Sequence, residues 1–220
     1  MSLILGIESS CDETAAAVVE DGRRVRSNVI ASQHDLHRKF GGVVPEIASR
    51  AHIERILPII DEALAEAGVE LADVDAIAVG HRPGLIGSLL VGVAAAKGLA
   101  WALGKPLIGV DHVRAHLYAG RLEAEEGTEG GPGLGLVVSG GHTSLYRVDG
   151  PLEMTWLGRT IDDAVGEAYD KVAAILGLGF PGGPIVDRRA GRGDAESIRF
   201  PRTLLDADSL DFSFSGLKTA

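Results

Sequence analysis

Cysteine and aromatic residues are scarce in this chain of 220 residues. The single cysteine, Cys11, excludes a disulfide framework within the chain, which is typical of proteins in a reducing compartment. Aromatic side chains make up 5% of the residues, so a core has to be built from Ala, Val, Leu and Ile. The N-terminus has neither a basic start nor a long apolar run, and we therefore expect no signal peptide.

Positive charge is also in deficit, because the formal net charge is -10 at pH 7. An acidic protein does not bind nucleic acid through its average field, so any such contact needs local basic clusters or a partner. Two clusters are present, and solvated surface charge remains the alternative for both: Arg23, Arg24, Arg26, Arg38, Lys39 and Arg188, Arg189, Arg192, Arg199, Arg202.

Glycine, in contrast, is abundant at 30 residues, which fall in short clusters between hydrophobic runs. Such clusters are typical of tight turns and of places where the backbone approaches a ligand. The longest apolar stretch runs from Leu85 to Leu103 and contains Lys97. Its length allows a membrane helix, but the lysine and the glycines favour a helix buried between packed layers, and we expect no membrane association.

The first half of the chain predicts three strands followed by alternating helices and strands. Hydrophobic period and turn residues place these elements, in order, at Leu3–Glu8, Thr14–Glu20, Arg23–Ser32, a helix Pro45–Ala67 that Pro58 interrupts, Val74–Val79, a helix Gly84–Leu103, Leu107–Val110 and a helix Asp111–Glu125. Asp21-Gly22 is a hairpin signal between the second and third strands. This order predicts an α/β domain with a mixed sheet, similar to the ribonuclease-H-like unit of the actin, hexokinase and Hsp70 superfamily.

The second half begins with a new pair of strands. Glu123–Gly133 is acidic and glycine-rich and is the predicted linker. After it we expect strands at Leu134–Ser139 and Thr143–Val148 and a helix at Ile161–Leu176. We therefore predict two domains, residues 1–128 and 134–220, as a duplicated fold whose first domain is complete and whose second is incomplete.

The segment from Asp111 to His116 carries a candidate metal site. Residues four apart lie on one face of a helix, so His112 and His116 are placed to ligate one ion. The zinc-protease pattern needs Glu directly after the first histidine, and Val113 at that position disfavours hydrolysis by that mechanism. No third ligand is identifiable from spacing, and two surface histidines remain the alternative.

Three further segments carry weaker signals for ligand binding. A glycine-rich turn is predicted between two strands, at Ser139-Gly140-Gly141-His142-Thr143. Its backbone N–H groups could bind an anion, and a plain hairpin turn is the alternative. Ser9–Thr14 is a polar loop in which Cys11 is a small buried residue or part of a phosphate site. Asp170, the Phe180–Pro184 turn and Asp187 are placed to contact a ribose or base, although Glu167 and Lys171 form an ordinary helix pair.

Taken together, these motifs resemble the tRNA N6-adenosine threonylcarbamoyltransferase family (TsaD in bacteria, formerly labelled O-sialoglycoprotein endopeptidase). The matching segments span essentially the whole chain: Gly6–Thr14, Gly41–Arg50, His112–His116, Val137–Thr143, Asp162–Lys171, Phe180–Pro184 and Asp211–Ala220.

The resemblance implies a role for each segment. His112 and His116 would be two ligands of one metal ion, usually iron, with zinc as a competing assignment, and Glu13 would line the catalytic cleft. Contacts to threonylcarbamoyl-adenylate or an ATP-like nucleotide would come from Val137, Val138, Ser139, Gly140, Gly141, Asp170, Gly183 and Asp187. The reaction would be transfer of threonylcarbamoyl to the adenosine beside the anticodon of tRNA in the cytoplasm, with TsaB-like and TsaE-like partners.

This sequence departs from the family pattern at two places. Arg82 replaces the first glycine of the usual Gly-Pro-Gly-Leu, and family members continue past Ala220 into a part that carries a third metal ligand. We therefore expect this chain alone to have little or no transferase activity. The alternatives are a TsaB-like scaffold, which lacks the histidine pair, a metalloprotease, a sugar-kinase-like ATPase and a pure interaction module.

Overall fold

The computed structural model describes residues 2–122, 132–150, 152–203, 206 and 208–220. The chain divides into two compact units, residues 1–129 and 130–220. Residues 123–131, which include most of the predicted linker and the end of the helix predicted to reach Glu125, lie outside the described residues.

The first unit is built on a five-stranded sheet of order β3-β2-β1-β4-β5. Its strands are β1 (Leu3–Glu8), β2 (Glu13–Glu20), β3 (Arg24–Ser32), β4 (Ala76–Arg82) and β5 (Leu107–Asp111). The first three are antiparallel neighbours, whereas β4 pairs parallel with β1 and β5 pairs parallel with β4. This mixed sheet confirms the predicted ribonuclease-H-like order. Each parallel pair of strands needs a helical crossover between them, and α2 and α3 supply these crossovers.

Four helices accompany this sheet: α1 (His34–Arg38), α2 (Pro45–Ala67), α3 (Ile86–Leu103) and α4 (His112–Ala119). Helix α2 starts with Pro45 in its first turn and ends at Gly68 in the left-handed conformation, as its sequence predicts. Pro58 does not break α2, which is continuous across it. Helix α4 ends at Ala119, earlier than predicted, and Gly120 is its C-cap.

The core of the first unit lies between the sheet and helices α2 and α3. Leu5, Ile60 and Ile77 are fully buried there, and each such side chain contributes about 1.5–3 kcal/mol of transfer free energy. Helix α3 is the one helix among the described residues long and apolar enough to cross a membrane. Its Ala96 and Ala100 lie in the core. The prediction of a helix buried between packed layers was wrong, because only 28% of this span is buried among the described residues and Ile86 and Leu90 are exposed.

The second unit contains a three-stranded antiparallel sheet of order β6-β7-β8. Its elements are β6 (Gly133–Val138), β7 (Thr143–Val148), β8 (Met154–Arg159), α5 (Val165–Ile175), α6 (Gly182–Ala190) and α7 (Ser215–Thr219). The sequence did not predict β8 or α6. The predicted start of α5 at Ile161 was wrong, because the Ile161 N–H donates to the carbonyl of Phe212 and the segment before Val165 is not helical.

Candidate metal centre and nucleotide-binding segments

In the first unit, polar side chains collect at the carboxyl ends of the parallel strands β1, β4 and β5. Glu8 ends β1, and Asp111 ends β5 directly before α4. The Asp111 carboxylate accepts hydrogen bonds from the N–H groups of Val113 and Arg114, so it caps the N-terminus of α4. This cap fixes the position of the first turn of α4, which carries His112.

The imidazole rings of His112 and His116 face each other with their Nε2 atoms. Their Nε2 atoms lie 3.1 Å apart, and the rings meet edge to face with centroids 4.5 Å apart. One proton between the two Nε2 atoms accounts for this contact, and a metal ion held by both nitrogens would take the place of that proton. The donor set therefore fits a transition metal that accepts imidazole nitrogen, such as iron or zinc.

The other ring nitrogen of His112 faces a carboxylate. Its Nδ1 lies 3.3 Å from Oε2 of Glu8 and 3.2 Å from the hydroxyl oxygen of Ser10. The hydrogen bond with Glu8 raises the pKa of His112, against the opposing effect of burial. Burial disfavours the charged form of Glu8, but the hydrogen bonds with His112 and Ser10 outweigh it and hold the pKa of the Glu8 carboxyl below its usual value.

The second histidine is biased towards its neutral form. Burial and the charge of His112 lower the pKa of His116. A neutral imidazole is the form that binds a metal ion, so this bias favours ligation. Among the described residues, no group of three His, Cys, Asp or Glu side chains is placed to hold a metal. The pair thus supplies two of the ligands that such a site needs.

The loop between β1 and β2 is fixed by side chains that the sequence analysis did not single out. His52 of α2 lies with Nε2 3.0 Å from the carbonyl oxygen of Cys11. The Ser88 hydroxyl of α3 donates to the same oxygen at 3.3 Å, and the Ser9 hydroxyl donates to the Ser88 carbonyl at 2.9 Å. These bonds join residues 41 to 79 positions apart, so no local pattern in the sequence reveals them.

The predicted catalytic residue Glu13 follows this loop and is exposed at the start of β2. Partial desolvation, followed by the charge of Asp12 and a hydrogen bond with it, raises the pKa of Glu13. Cys11 is a different case, because burial and the charge of Asp12 raise the pKa of its thiol to about 12. Cys11 is therefore protonated at neutral pH, which excludes it as a thiolate nucleophile.

Arg82, the departure from the family pattern, contacts the start of α4. Its Nε lies 3.5 Å from Oδ2 of Asp111, while Oδ1 of Asp111 caps the helix. The guanidinium is mostly exposed, so the pair contributes little to stability. Its local role is to neutralise the carboxylate at the edge where His112 lies.

In the second unit, the Ser139–His142 turn packs against the first turn of α5. The Ser139 hydroxyl accepts from the His142 N–H, and the Ser139 carbonyl accepts from the Gly166 N–H at 3.2 Å. A β-carbon at Gly166 would lie 2.6 Å from that carbonyl oxygen, so only glycine allows this approach. Val137 is buried in β6, whereas Val138, Gly140 and Gly141 are exposed beside α5.

The same helix positions the other predicted nucleotide contacts. Oδ1 of Asp170 accepts the Gly182 N–H at 2.6 Å, which links α5 to the start of α6. Gly183 and Asp187 lie in the first two turns of α6, and Asp187 is exposed. Asp170 on α5 therefore lies beside the start of α6. The Ser139–His142 turn lies at the other end of α5, at its N-terminus.

Two neighbouring aspartates, which lie in the helix predicted at Ile161–Leu176 but outside the observed α5, anchor the last described segment. Asp162 accepts hydrogen bonds from the Ser213 hydroxyl at 2.6 Å and the Phe214 N–H at 2.8 Å. Asp163 contacts the ammonium groups of Lys171 at 2.7 Å and Lys218 at 2.9 Å. Hydrogen bonds with these two lysines lower the pKa of Asp163 to about 2.

Curated relatives match nearly the whole chain. A tRNA N6-adenosine threonylcarbamoyltransferase of Moorella thermoacetica is 61% identical over 217 residues, covering 99% of this chain and 63% of that protein. The protein of the same name from Symbiobacterium thermophilum is 62% identical over 218 residues, with 99% and 63% covered. The chain thus spans a little less than two thirds of the length of these relatives.

Solved structures give looser likenesses. YeaZ from Pseudomonas aeruginosa is 27% identical with a TM-score of 0.45, covering 71% of this chain and 64% of that one. A ROK family glucokinase from Streptomyces griseus is 17% identical with a TM-score of 0.45, covering 88% and 72%. The family profile described as TsaD, tRNA N6-adenosine threonylcarbamoyltransferase, matches residues 24–220. On the match of this profile to residues 24–220 and the high identity of the curated relatives, this chain belongs to the tRNA N6-adenosine threonylcarbamoyltransferase family.

Proposed function

We propose that this chain carries the metal-binding and nucleotide-binding segments of an enzyme that transfers threonylcarbamoyl from threonylcarbamoyl-adenylate to N6 of the adenosine beside the anticodon of tRNA. The observation that carries the proposal is the convergence of the His112 and His116 Nε2 atoms, 3.1 Å apart, in a chain of this family. A proton-sharing histidine pair alone fits many roles, and membership of this family supports the proposed one.

The reaction forms a bond between N6 of the adenosine and the carbamoyl carbon, breaks the bond from that carbon to the adenylate phosphate, and releases a proton from N6. We assign acceptance of this proton to Glu13, whose pKa is raised by partial desolvation and by Asp12. A base with a raised pKa accepts a proton more readily, provided that it is ionised at the working pH. On this proposal Glu13→Gln abolishes transfer and Glu13→Asp retains part of it.

One metal ion, iron with zinc as the alternative, would be held by His112 and His116. When bound, such an ion polarises the carbamoyl and phosphate oxygens and offsets the negative charge that develops on them. The neutral bias of His116 and the carboxylate beside His112 are the features of this chain that support ligation.

The second unit would bind the nucleotide. Exposed backbone N–H groups in the turn after β6 suit a phosphate or carbonyl oxygen, and this assignment covers Val137, Val138, Ser139, Gly140 and Gly141. Oδ1 of Asp170 accepts a hydrogen bond from the Gly182 N–H, and Oδ2 of Asp170 has no hydrogen bond to any residue that the structure describes. We assign that oxygen to a ribose hydroxyl, with Gly183 and Asp187 contacting the same nucleoside.

We also propose TsaB-like and TsaE-like proteins as partners. Helices α2 and α3 pack together and leave large apolar side chains exposed, each as an i,i+4 pair: Ile53 and Leu57 on α2, Ile86 and Leu90 on α3. Exposed apolar area on two adjacent helices is typical of a protein interface, and we assign it to the TsaB-like partner. We further propose a cytoplasmic enzyme without membrane association, which a tRNA substrate supports.

Binding assays with the 220-residue chain test this function. Threonylcarbamoyl-adenylate should bind, and Asp170→Ala should weaken binding at least about tenfold, which is about 1.4 kcal/mol. A matched control is Asp194→Ala, a change in an exposed loop of the same unit. We expect little or no transfer to tRNA by this chain alone. Preferential binding of a sugar with ATP, or robust transfer without another subunit, would contradict the proposal.

A further inference from the structure

Glu8 is held in one position by contacts on two sides. Its Oε1 accepts the N–H of Ser10 at 2.5 Å, and its Oε2 lies 3.3 Å from Nδ1 of His112. Glu8 ends the strand β1, whereas His112 begins α4, 104 positions later in the chain. The two residues therefore meet only because β1, β4 and β5 end at the same edge of the sheet.

The contact determines which nitrogen of His112 carries a proton. An ionised carboxylate only accepts hydrogen bonds, so Nδ1 must be the donor in this pair. In the neutral ring, a proton on Nδ1 leaves the lone pair on Nε2. That lone pair points at Nε2 of His116, 3.1 Å away, which is where a shared metal ion would bind.

Room for this carboxylate comes from the neighbouring strand. Gly80 of β4 lies beside Glu8, and a β-carbon at Gly80 would overlap Oε2 of Glu8, the oxygen that contacts His112. An alanine at this position would push the carboxylate away from Nδ1. By contrast, Gly6 in β1 has space, because a β-carbon there would come no closer than 3.8 Å to the Ala17 carbonyl oxygen.

We propose that Glu8 is a positioning residue that fixes the tautomer and orientation of His112, and that Gly80 keeps the Glu8 carboxylate in place. This inference rests on the proposed function only where it concerns the metal. Carboxylates that accept from the second nitrogen of a ligating histidine typically raise metal affinity about 10- to 100-fold.

The first experiment needs no metal. Long-range proton–nitrogen NMR of the 220-residue chain, at a pH high enough that the His112 ring signals no longer change with pH, reports which nitrogen of the neutral His112 ring is protonated. We expect protonation at Nδ1 in the wild type and a shift towards Nε2 in Glu8→Ala and Gly80→Ala. Glu8→Gln offers one acceptor oxygen for the two donors that Glu8 satisfies, so with that oxygen on the Ser10 N–H it should also shift the tautomer towards Nε2. Gly6→Ala is the matched control. An unchanged tautomer in Glu8→Ala, with the fold intact by circular dichroism, would overturn the inference.

The second experiment measures Zn²⁺ affinity of the same variants by calorimetry. Glu8→Ala and Gly80→Ala should bind Zn²⁺ about 10- to 100-fold more weakly than the wild type, while Gly6→Ala should match it. Failure of the positioning role and failure of the proposed metal site give different results. If the wild type does not bind Zn²⁺ but the tautomer depends on Glu8, the positioning role stands and the metal part of the proposed function is wrong. Equal Zn²⁺ affinity in the wild type and Glu8→Ala contradicts the positioning role.

Discussion

The imidazole of His52, on α2, contacts both Cys11 and Thr14 where the loop after β1 leads into β2. Its Nε2 lies 3.0 Å from the Cys11 carbonyl oxygen and its Nδ1 lies 2.8 Å from the Thr14 hydroxyl. Because a carbonyl only accepts, Nε2 carries the proton and Nδ1 accepts from Thr14. Burial lowers the pKa of this ring and so favours its neutral form, and the ring holds the loop that leads to Glu13.

Removal of this ring should destabilise the protein. We expect His52→Ala to lower the free energy of unfolding by about 1–3 kcal/mol, since two buried hydrogen bonds are lost and a cavity remains. The pKa of His52 is lowered, mainly by burial, from the usual 6.5. The stabilisation is therefore complete above pH 6.5 and is lost as the pH falls from 6.5 through the lowered pKa.

Urea unfolding of the wild type and His52→Ala at several pH values checks both points. The difference in the free energy of unfolding between the wild type and His52→Ala should be largest at neutral and alkaline pH. It should become smaller on acidification below 6.5. His81→Ala is the matched control, because His81 is exposed. A difference that grows on acidification would contradict the account.

Asp163 gives the second unit an acid-sensitive anchor. Its hydrogen bonds with Lys171 and Lys218 lower its pKa from the usual 3.8 to about 2. The stabilisation is present above pH 3.8 and is lost as the pH falls towards 2, so Asp163→Asn should be less stable than the wild type at neutral pH and converge with it in acid. Trp156 fluorescence in a Trp101→Phe background reports this unit, and Glu196→Gln, at an exposed position, should show no such dependence.

Cys11 should be unreactive in the folded protein. A rise in the pKa of its thiol from 9.0 to about 12 reduces the thiolate fraction roughly a thousandfold at neutral pH. We expect iodoacetamide to modify Cys11 slowly in native protein and rapidly in guanidinium, as followed by mass spectrometry. A native rate close to the denatured rate would show that the thiol is neither buried nor perturbed.

Local signals predicted much of the fold. Helix α2 runs from Pro45 to Ala67 as expected, because proline suits a first turn and Gly68 suits a left-handed end. Helix α6 was missed because the glycines and prolines of Phe180–Pro184 indicated a turn. In the structure Pro181 precedes the helix and Pro184 lies in its first turn, where its missing N–H costs nothing.

Contacts distant in the chain were not predictable in the same way. The histidine pair is visible in the sequence because its members are four residues apart on α4. Glu8, which contacts His112, is 104 positions away, and nothing in the Gly6–Thr14 segment marks it as a partner of His112. The start of α5 was misplaced for the same reason, since Phe212 pairs with Thr160 and holds that segment outside the helix.

Gly166 should control nucleotide binding through the Ser139–His142 turn. A methyl group at Gly166 would press on the Ser139 carbonyl and on Gly140, so the turn must move. We expect Gly166→Ala to weaken threonylcarbamoyl-adenylate binding about tenfold or more, equal to about 1.4 kcal/mol. Gly191→Ala is the matched control, since a β-carbon there would come no closer than 3.9 Å to the Arg188 carbonyl oxygen. Equal affinity of Gly166→Ala and Gly191→Ala for threonylcarbamoyl-adenylate would show that the Ser139–His142 turn does not control nucleotide binding.

The most direct test of the account is metal binding by the histidine pair. Calorimetry with Zn²⁺ should give one site per 220-residue chain in the wild type, and His112→Ala and His116→Ala should each abolish it. His81→Ala, at the same edge of the sheet but outside the pair, should bind as the wild type does. A single site lost in both pair variants is the predicted result, and wild-type binding that survives His112→Ala would contradict the central claim.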